Sequence, residues 1–322
     1  MKIVFTDYYY PDNTLELEVL SKIKDVEIVD LTKINSGGIK ESEKLIPYVK
    51  DADAIIVQFA QISKELIEQL ENCKIIARYA IGVDNIDVEA AKKKGITVSN
   101  VPDYCIEEVS DTAVAHILNL NRSIGYSDQL LRGKRWTLEA IRPLKRLQES
   151  VIGLVAFGNI AQRTAEKLRP YGCTLLAYDP YFNQTETFSW VKFVSLEELL
   201  SESDIVSIHA PLNKNTQHLI GQKELALMKN GSYLVNTSRG GLIEESALYD
   251  ALKNKKLGGV GLDVLDMYDS DYQNSRLLEF KDNLFITPHL GWYSETSIDE
   301  LKMKVAENVK SKILTGKAIY EL

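Results

Sequence analysis

The stretch Val151-Ile152-Gly153-Leu154-Val155-Ala156-Phe157-Gly158-Asn159-Ile160-Ala161 decides the fold. An apolar run passes through a small-residue turn into a helical polar–apolar pattern, which reads as strand, tight turn, helix. The turn fits the dinucleotide fingerprint GxGxxG/A with Ala156 at the first glycine and Ala161 at the third. Gly158 keeps the central position, where backbone must approach a pyrophosphate closely. The helix opening at Asn159 and Ile160 offers free N–H groups and a positive dipole end. An ordinary βα turn also fits this stretch, and the alanine at 156 departs from the pattern. Position 179 weighs against that plainer reading. Leu175-Leu176-Ala177-Tyr178-Asp179 is a strand ending in an acid, at the distance beyond Gly158 where a carboxylate meets the ribose hydroxyls. A carboxylate there repels a 2′-phosphate and favours NAD over NADP. The alternative for Asp179 is a solvated residue opening the Asp179-Pro180 turn.

Outward from this unit, short apolar runs alternate with amphipathic segments. Strands are expected at Lys2–Thr6, Glu27–Leu31, Ala54–Val57, Ile75–Tyr79, Val151–Phe157, Thr174–Tyr178, Ile205–Ile208, Tyr233–Asn236, Gly259–Leu262 and Leu284–Ile286. Helical periodicity covers Leu15–Ile23, Lys64–Leu70, Val88–Lys94, Glu107–Asn121, Ile160–Leu168, Leu196–Glu202, Glu244–Asn254 and Ser297–Leu314. Alternation of this kind predicts an α/β protein with two Rossmann-like domains built on parallel sheets. Breakers at Ser99-Asn100-Val101-Pro102-Asp103 and Thr287-Pro288-His289-Leu290-Gly291 place the boundaries. A dinucleotide-binding domain over 101–289 is expected to be inserted into a discontinuous domain formed by 1–100 plus 290–322. Two crossings would leave a small-molecule cleft between them.

The chain has 322 residues, enough for two domains, with 45% hydrophobic and 26% charged residues. Its net charge of −8 speaks against a nucleic-acid or anionic-membrane surface. No apolar run reaches the roughly 18 residues of a membrane span, and Asp7 interrupts the N-terminal run where a secretory signal would continue. Cys73, Cys105 and Cys173 are scattered, which supports neither disulfides nor a metal site and suggests buried thiols in a cytoplasmic protein.

Two further strand ends carry polar groups. Tyr233-Leu234-Val235-Asn236-Thr237-Ser238-Arg239-Gly240-Gly241 leads a buried strand into a loop with Arg239 at its tip. A guanidinium there can hold a carboxylate and a carbonyl through its fork of donors, although an arginine before two glycines also suits a plain surface. His289 follows Ile286-Thr287-Pro288 at the second breaker, and imidazole suits a proton donor in carbonyl reduction.

Four blocks together resemble the D-isomer-specific 2-hydroxyacid dehydrogenases over essentially the whole chain. They are Ala77-Arg78-Tyr79-Ala80-Ile81-Gly82-Val83-Asp84-Asn85-Ile86-Asp87, the fingerprint with Asp179, Asn236-Thr237-Ser238-Arg239-Gly240, and Asp263-Val264 with Thr287-Pro288-His289. Pro288-His289-Leu290-Gly291-Trp292-Tyr293-Ser294-Glu295 and the Asn100–Glu108 stretch look closest to the branch containing C-terminal-binding protein. The resemblance implies an NAD-dependent enzyme that reduces a small 2-oxo acid, with Arg239 polarising the substrate and His289 as general acid/base. It implies cofactor contacts at Gly158, Asn159, Ile160, Asp179, Ala210, Pro211, Thr216, Thr237, Ser238, Asp263, His289 and Gly291. Arg78, Ile81 and Gly82 would hold the substrate carboxylate, and Trp292 would line the pocket. A flavodoxin-like substrate domain and a homodimer formed through the cofactor domain are also implied, with neither a metal nor a nucleic-acid partner.

One departure stands out. Tyr268 occupies the position where the family has a glutamate beside the catalytic histidine, with Asp266 and Asp269 flanking it. A tyrosine brings no full negative charge near pH 7, so His289 is expected to titrate near its ordinary ~6.5 and reduction to favour acid pH. The same departure keeps open a binding protein that senses NAD(H) rather than turning over substrate. Related chemistry on formate or phosphite is a further possibility for the same Arg–His pair.

Overall fold

The computed structural model describes residues 1–322 apart from Arg142, Gln184 and residues 267–270. The expectation attached to Tyr268 therefore lies outside the described residues, as does that for Asp269. The chain forms two compact units, residues 1–105 with 294–322 and residues 106–293.

The first unit opens with β1 (Lys2–Phe5), α1 (Thr14–Leu20), β2 (Glu27–Asp30), α2 (Ser42–Val49) and β3 (Ala54–Val57). It continues with α3 (Lys64–Gln69), β4 (Ile75–Arg78), α4 (Val88–Lys93) and β5 (Thr97–Ser99). Its strands pair in parallel in the order β2-β1-β3-β4-β5. Ala54–Val57 is buried at every position, because a central parallel strand is covered by helices on both faces and has no solvent side.

The second unit contains α5 (Ile106–Arg122), α6 (Ile124–Arg132), β6 (Val151–Val155), α7 (Asn159–Leu168), β7 (Thr174–Tyr178), β8 (Lys192–Phe193) and α8 (Leu196–Glu202). After these come β9 (Ile205–Ile208), α9 (Gln222–Leu227), β10 (Ser232–Asn236), α10 (Glu245–Lys253), β11 (Leu257–Leu262) and β12 (Leu284–Ile286). The seven-stranded parallel sheet has the order β12-β11-β10-β9-β6-β7-β8. The chain leaves β6 toward β7 on one side and returns beside β6 as β9 on the other, so the strand order reverses at the carboxyl ends of β6 and β9. Open α/β sheets bind ligands at such a point. The last helix, α11 (Glu295–Thr315), belongs to the first unit and packs along α1. There the buried Glu16 accepts the Tyr79 hydroxyl at 2.7 Å and lies 3.7 Å from Lys302 Nζ, and burial pushes its carboxyl up.

Elements that periodicity missed have local causes. Pro47 sits inside α2 and masks its pattern, yet Leu45 and Val49 are buried and hold the helix on the sheet. Ser123, at φ +51°, separates α6 from α5 by a single left-handed residue. Helix α9 has six residues, while β5 and β8 have three and two, too short for a period to register.

Candidate active site

Strand register assembles one edge of the second sheet. Tyr178 pairs with Val155, Val155 with Ile208, Ile208 with Asn236, Asn236 with Leu262 and Leu262 with Ile286. These six residues form a single row at the carboxyl ends of the strands. Asp179, Gly158, Ala210, Arg239, Asp263 and His289 all follow it within three residues.

At the β6 end, Ala156 takes φ +68°, the left-handed conformation for which the fingerprint uses glycine. Its N–H donates to Tyr178 O at 2.7 Å. Gly158 caps α7 with no side-chain partner, the first turn of α7 holds no acid, and the space where a Cβ of residue 158 would stand is open. The N–H groups of Asn159 and Ile160 find no acceptor among the described residues. An uncompensated helix start beside open space is an anion seat. Asp179 accepts Phe157 N–H on one oxygen and Tyr181 N–H on the other, both at 2.8 Å, and a carboxylate so held keeps lone pairs for hydroxyl donors. Two buried polar atoms nearby have no hydrogen-bond partner among the described residues, Nδ1 of His209 after β9 and Oγ1 of Thr237 after β10. His209 Nε2 lies 2.9 Å from Ser207 Oγ, and burial pushes the imidazole down to about 4, so the ring is neutral. These features fit a dinucleotide. Thr216 is tied to its own loop, donating to Pro211 O at 2.6 Å and accepting Asn213 N–H at 2.8 Å.

The loop after β10 is shaped by Asn236, which is fully buried. Its Oδ1 accepts Ser238 N–H at 3.0 Å and its Nδ2 donates to Arg239 O at 2.8 Å. Ser238 Oγ donates to Ile208 O at 3.0 Å, and Arg239 Nη1 donates to Ser238 O at 2.9 Å. A side chain at Gly240 would stand 2.0 Å from the Leu265 backbone, so close passage of these two loops requires glycine.

Asp263 builds the histidine loop. Its Oδ1 accepts the Thr287 hydroxyl at 2.5 Å and Leu290 N–H at 3.0 Å, and its Oδ2 accepts Gly291 N–H at 2.8 Å. His289 N–H donates to Asp263 O at 2.9 Å, and His289 takes φ +51°. Asp263 N–H donates in turn to Asn236 O at 2.9 Å, so the arginine and histidine loops share one hydrogen-bonded base. A Cβ at Gly291 would come within 2.7 Å of Asp263 Oδ2. The buried His116 of α5 places Nε2 3.3 Å from Thr287 Oγ1; burial lowers its pKa, against the pull of the Asp263 charge. Asp266 Oδ2 lies 3.5 Å from His218 Nε2. Trp292 stands edge-on to Tyr293.

In the first unit, Arg78 Nε donates to Gln58 O at 3.3 Å, its Nη1 donates to Gly82 O at 2.5 Å, and Asp84 lies 3.6 Å away. The N–H groups of Ile81 and Gly82 have no acceptor among the described residues. Arg78 thus braces the loop whose amides stay open. His209, His116 and Asn236 were not singled out by their residue type. The signal for His209 was its place directly before the Ala210-Pro211 turn; a lone buried histidine on α5 offered none.

Residues 114–291 match the family described as D-isomer specific 2-hydroxyacid dehydrogenase, NAD binding domain. Hydroxypyruvate reductase of Thermotoga maritima is 36% identical over 274 residues, covering 85% of this chain and 87% of that protein. Among solved structures, an acyclic imino acid reductase in complex with NADPH and D-Arg superposes with a TM-score of 0.88 at 28% identity, covering both chains completely. D-lactate dehydrogenase from Aquifex aeolicus, complexed with NAD and lactic acid, gives 0.84 at 28% identity over 98% of each chain.

Proposed function

The chain belongs to the D-isomer specific 2-hydroxyacid dehydrogenase family and is a nicotinamide-dinucleotide oxidoreductase; on that premise we propose that it reduces a small 2-oxo acid to the D-2-hydroxy acid, using NADH. The observation that carries the reading is the single row of strand ends from Tyr178 to Ile286. It brings the anion seat, Asp179, Arg239 and His289 to one edge of one sheet.

Bound NADH supplies the hydride that adds to the substrate's carbonyl carbon. Arg239 presents parallel N–H donors to a carboxylate oxygen and the carbonyl oxygen, and so stabilises negative charge as it gathers on that oxygen. His289 donates a proton to the same oxygen, giving the hydroxyl and leaving neutral imidazole. The amides of Ile81 and Gly82 take the substrate carboxylate, with Arg78 holding their loop, and Trp292 lines the side-chain pocket. Asn159 and Ile160 hold the pyrophosphate, with Gly158 giving it room. Asp179 takes the ribose hydroxyls, and Ala210, Pro211, Thr237 and Ser238 flank the dinucleotide. The exposed Ile124, Leu131, Trp136 and Leu138 on and after α6 fit a self-association face for a homodimer.

The test is a panel of aliphatic, aromatic and phosphorylated 2-oxo acids followed by NADH oxidation. At least one short 2-oxo acid is expected to turn over. Arg239→Lys should then lose about a hundredfold or more in kcat/KM with NADH affinity unchanged, because lysine lacks the fork. Turnover with none of the acids overturns the reading.

A further inference from the structure

Asp7 is a carboxylate fully buried at the end of β1, and it forms no ion pair with a cation among the described residues. It is satisfied instead by the turn that follows β3. Its Oδ1 accepts the N–H groups of Gln58 and Ala60, both at 3.2 Å, together with the Thr6 hydroxyl at 2.8 Å. Its Oδ2 accepts Phe59 N–H at 2.6 Å. Three consecutive backbone donors therefore wrap one side chain, an arrangement that fixes the turn. The opposite side of the same turn is held as well. Gln58 O accepts from Arg78 Nε at 3.3 Å and from Asn85 Nδ2 at 3.3 Å, and Ala60 O accepts from Asn85 Nδ2 at 2.6 Å. Arg78 and Asn85 bracket the 79–84 loop, whose Ile81 and Gly82 amides remain open. The cover over Asp7 is equally specific. Gly38, at φ +80°, leaves room for a Cβ only by colliding with Thr6 O at 2.3 Å and Asp7 Cα at 2.6 Å, so residue 38 must be glycine for the chain to seal the carboxylate.

We propose that Asp7 is a positioning residue for the substrate-carboxylate site of the first unit, an inference that rests on the function proposed above. It acts through the 58–60 turn, which orients Arg78 and Asn85 and thereby fixes the direction of the Ile81 and Gly82 amides. Removing the carboxylate leaves three N–H groups without a full acceptor, and the loop that grips the substrate loses its template. Binding of the dinucleotide depends on the second unit and has no need of this turn.

The experiment compares wild type with Asp7→Asn and Asn85→Ala on the best 2-oxo acid of the panel, measuring KM, kcat and the NADH dissociation constant by fluorescence. Asp7→Asn keeps the shape but turns an amide NH2 toward a backbone N–H. KM for the 2-oxo acid should rise about tenfold, while kcat and NADH affinity stay within about twofold. Asn85→Ala, which loosens the same turn from its other side, should show the same split and decides the matter if Asp7→Asn does not fold. An unchanged KM in either folded variant overturns the proposal, and so does a parallel loss of NADH affinity, which would mark a merely structural role. Failure of the wild-type enzyme to turn over any acid would overturn the function itself; a wild-type enzyme that turns over while the variants match it overturns only the role of Asp7.

Discussion

The turn after β6 and the loop after β12 lie at the same sheet edge and treat their backbone donors in opposite ways. The first leaves Asn159 and Ile160 N–H open among the described residues and caps its helix with a bare glycine, and on the neighbouring strand end, after β9, His209 Nδ1 has no partner among them. The second consumes its donors internally, with Asp263 taking one hydroxyl and two amides. Unmet donors cost stability and are retained where a ligand satisfies them, whereas a proton donor must be held still before substrate arrives. On the function proposed above, the contrast separates a turn that binds from a loop that aims.

Breaking the closed loop should have the largest effect. Asp263→Asn would place an NH2 against Leu290 or Gly291 N–H and release the left-handed backbone at His289. Turnover should fall by about thirtyfold or more with a stability loss of about 3 kcal/mol in urea unfolding, while NADH still binds. Full turnover in that variant would show that the loop is held by something other than Asp263.

After β9, which pairs with β6, the neutral His209 makes stability depend on pH. Its folded pKa, about 4, lies below the ~6.5 of an unfolded histidine, so the unfolded state binds the extra proton and stability declines as pH falls through this window. Between pH 6.5 and 5 the contribution lost is about 2 kcal/mol. His209→Gln should flatten that part of the stability curve, and a curve of unchanged slope would refute the assignment.

Asp179→Ala should narrow the preference for NADH over NADPH by about tenfold, read as the ratio of kcat/KM values, since it removes both the hydroxyl acceptor and the repulsion of a 2′-phosphate. The smallest effect is expected at Ala156. A left-handed alanine costs about 1 kcal/mol relative to glycine, partly offset by the freedom glycine gains in the unfolded chain. Ala156→Gly should therefore raise the unfolding midpoint slightly, with NADH affinity unaltered; destabilisation would mean that the methyl group packs usefully.

Much of this was legible without coordinates because it is local. Period and turn chemistry identify the βα unit at 151–168, the acid at 179 and the polar tips at 239 and 289. The four motif blocks together point to the family. Other features resisted for definite reasons. Pro47 disguises α2, and strands of two or three residues carry no period. The bonds from Arg78 Nε and Nη1 to Gln58 O and Gly82 O could not be read from its motif, because they depend on the fold around β3 and β4.

The sequence by itself determined the parallel α/β architecture, the dinucleotide turn and the identity of the polar groups at the strand ends, because each depends on residues adjacent in the chain. Only the tertiary structure decided how those groups are held. Asn236 and Asp263 share a hydrogen bond because β10 and β11 pair in one register, and His116 reaches Thr287 across 171 residues. Asp7 meets a turn more than fifty residues away because β1 and β3 are neighbours. Such contacts arise from strand order, and strand order is a property of the whole folded sheet rather than of any segment in it.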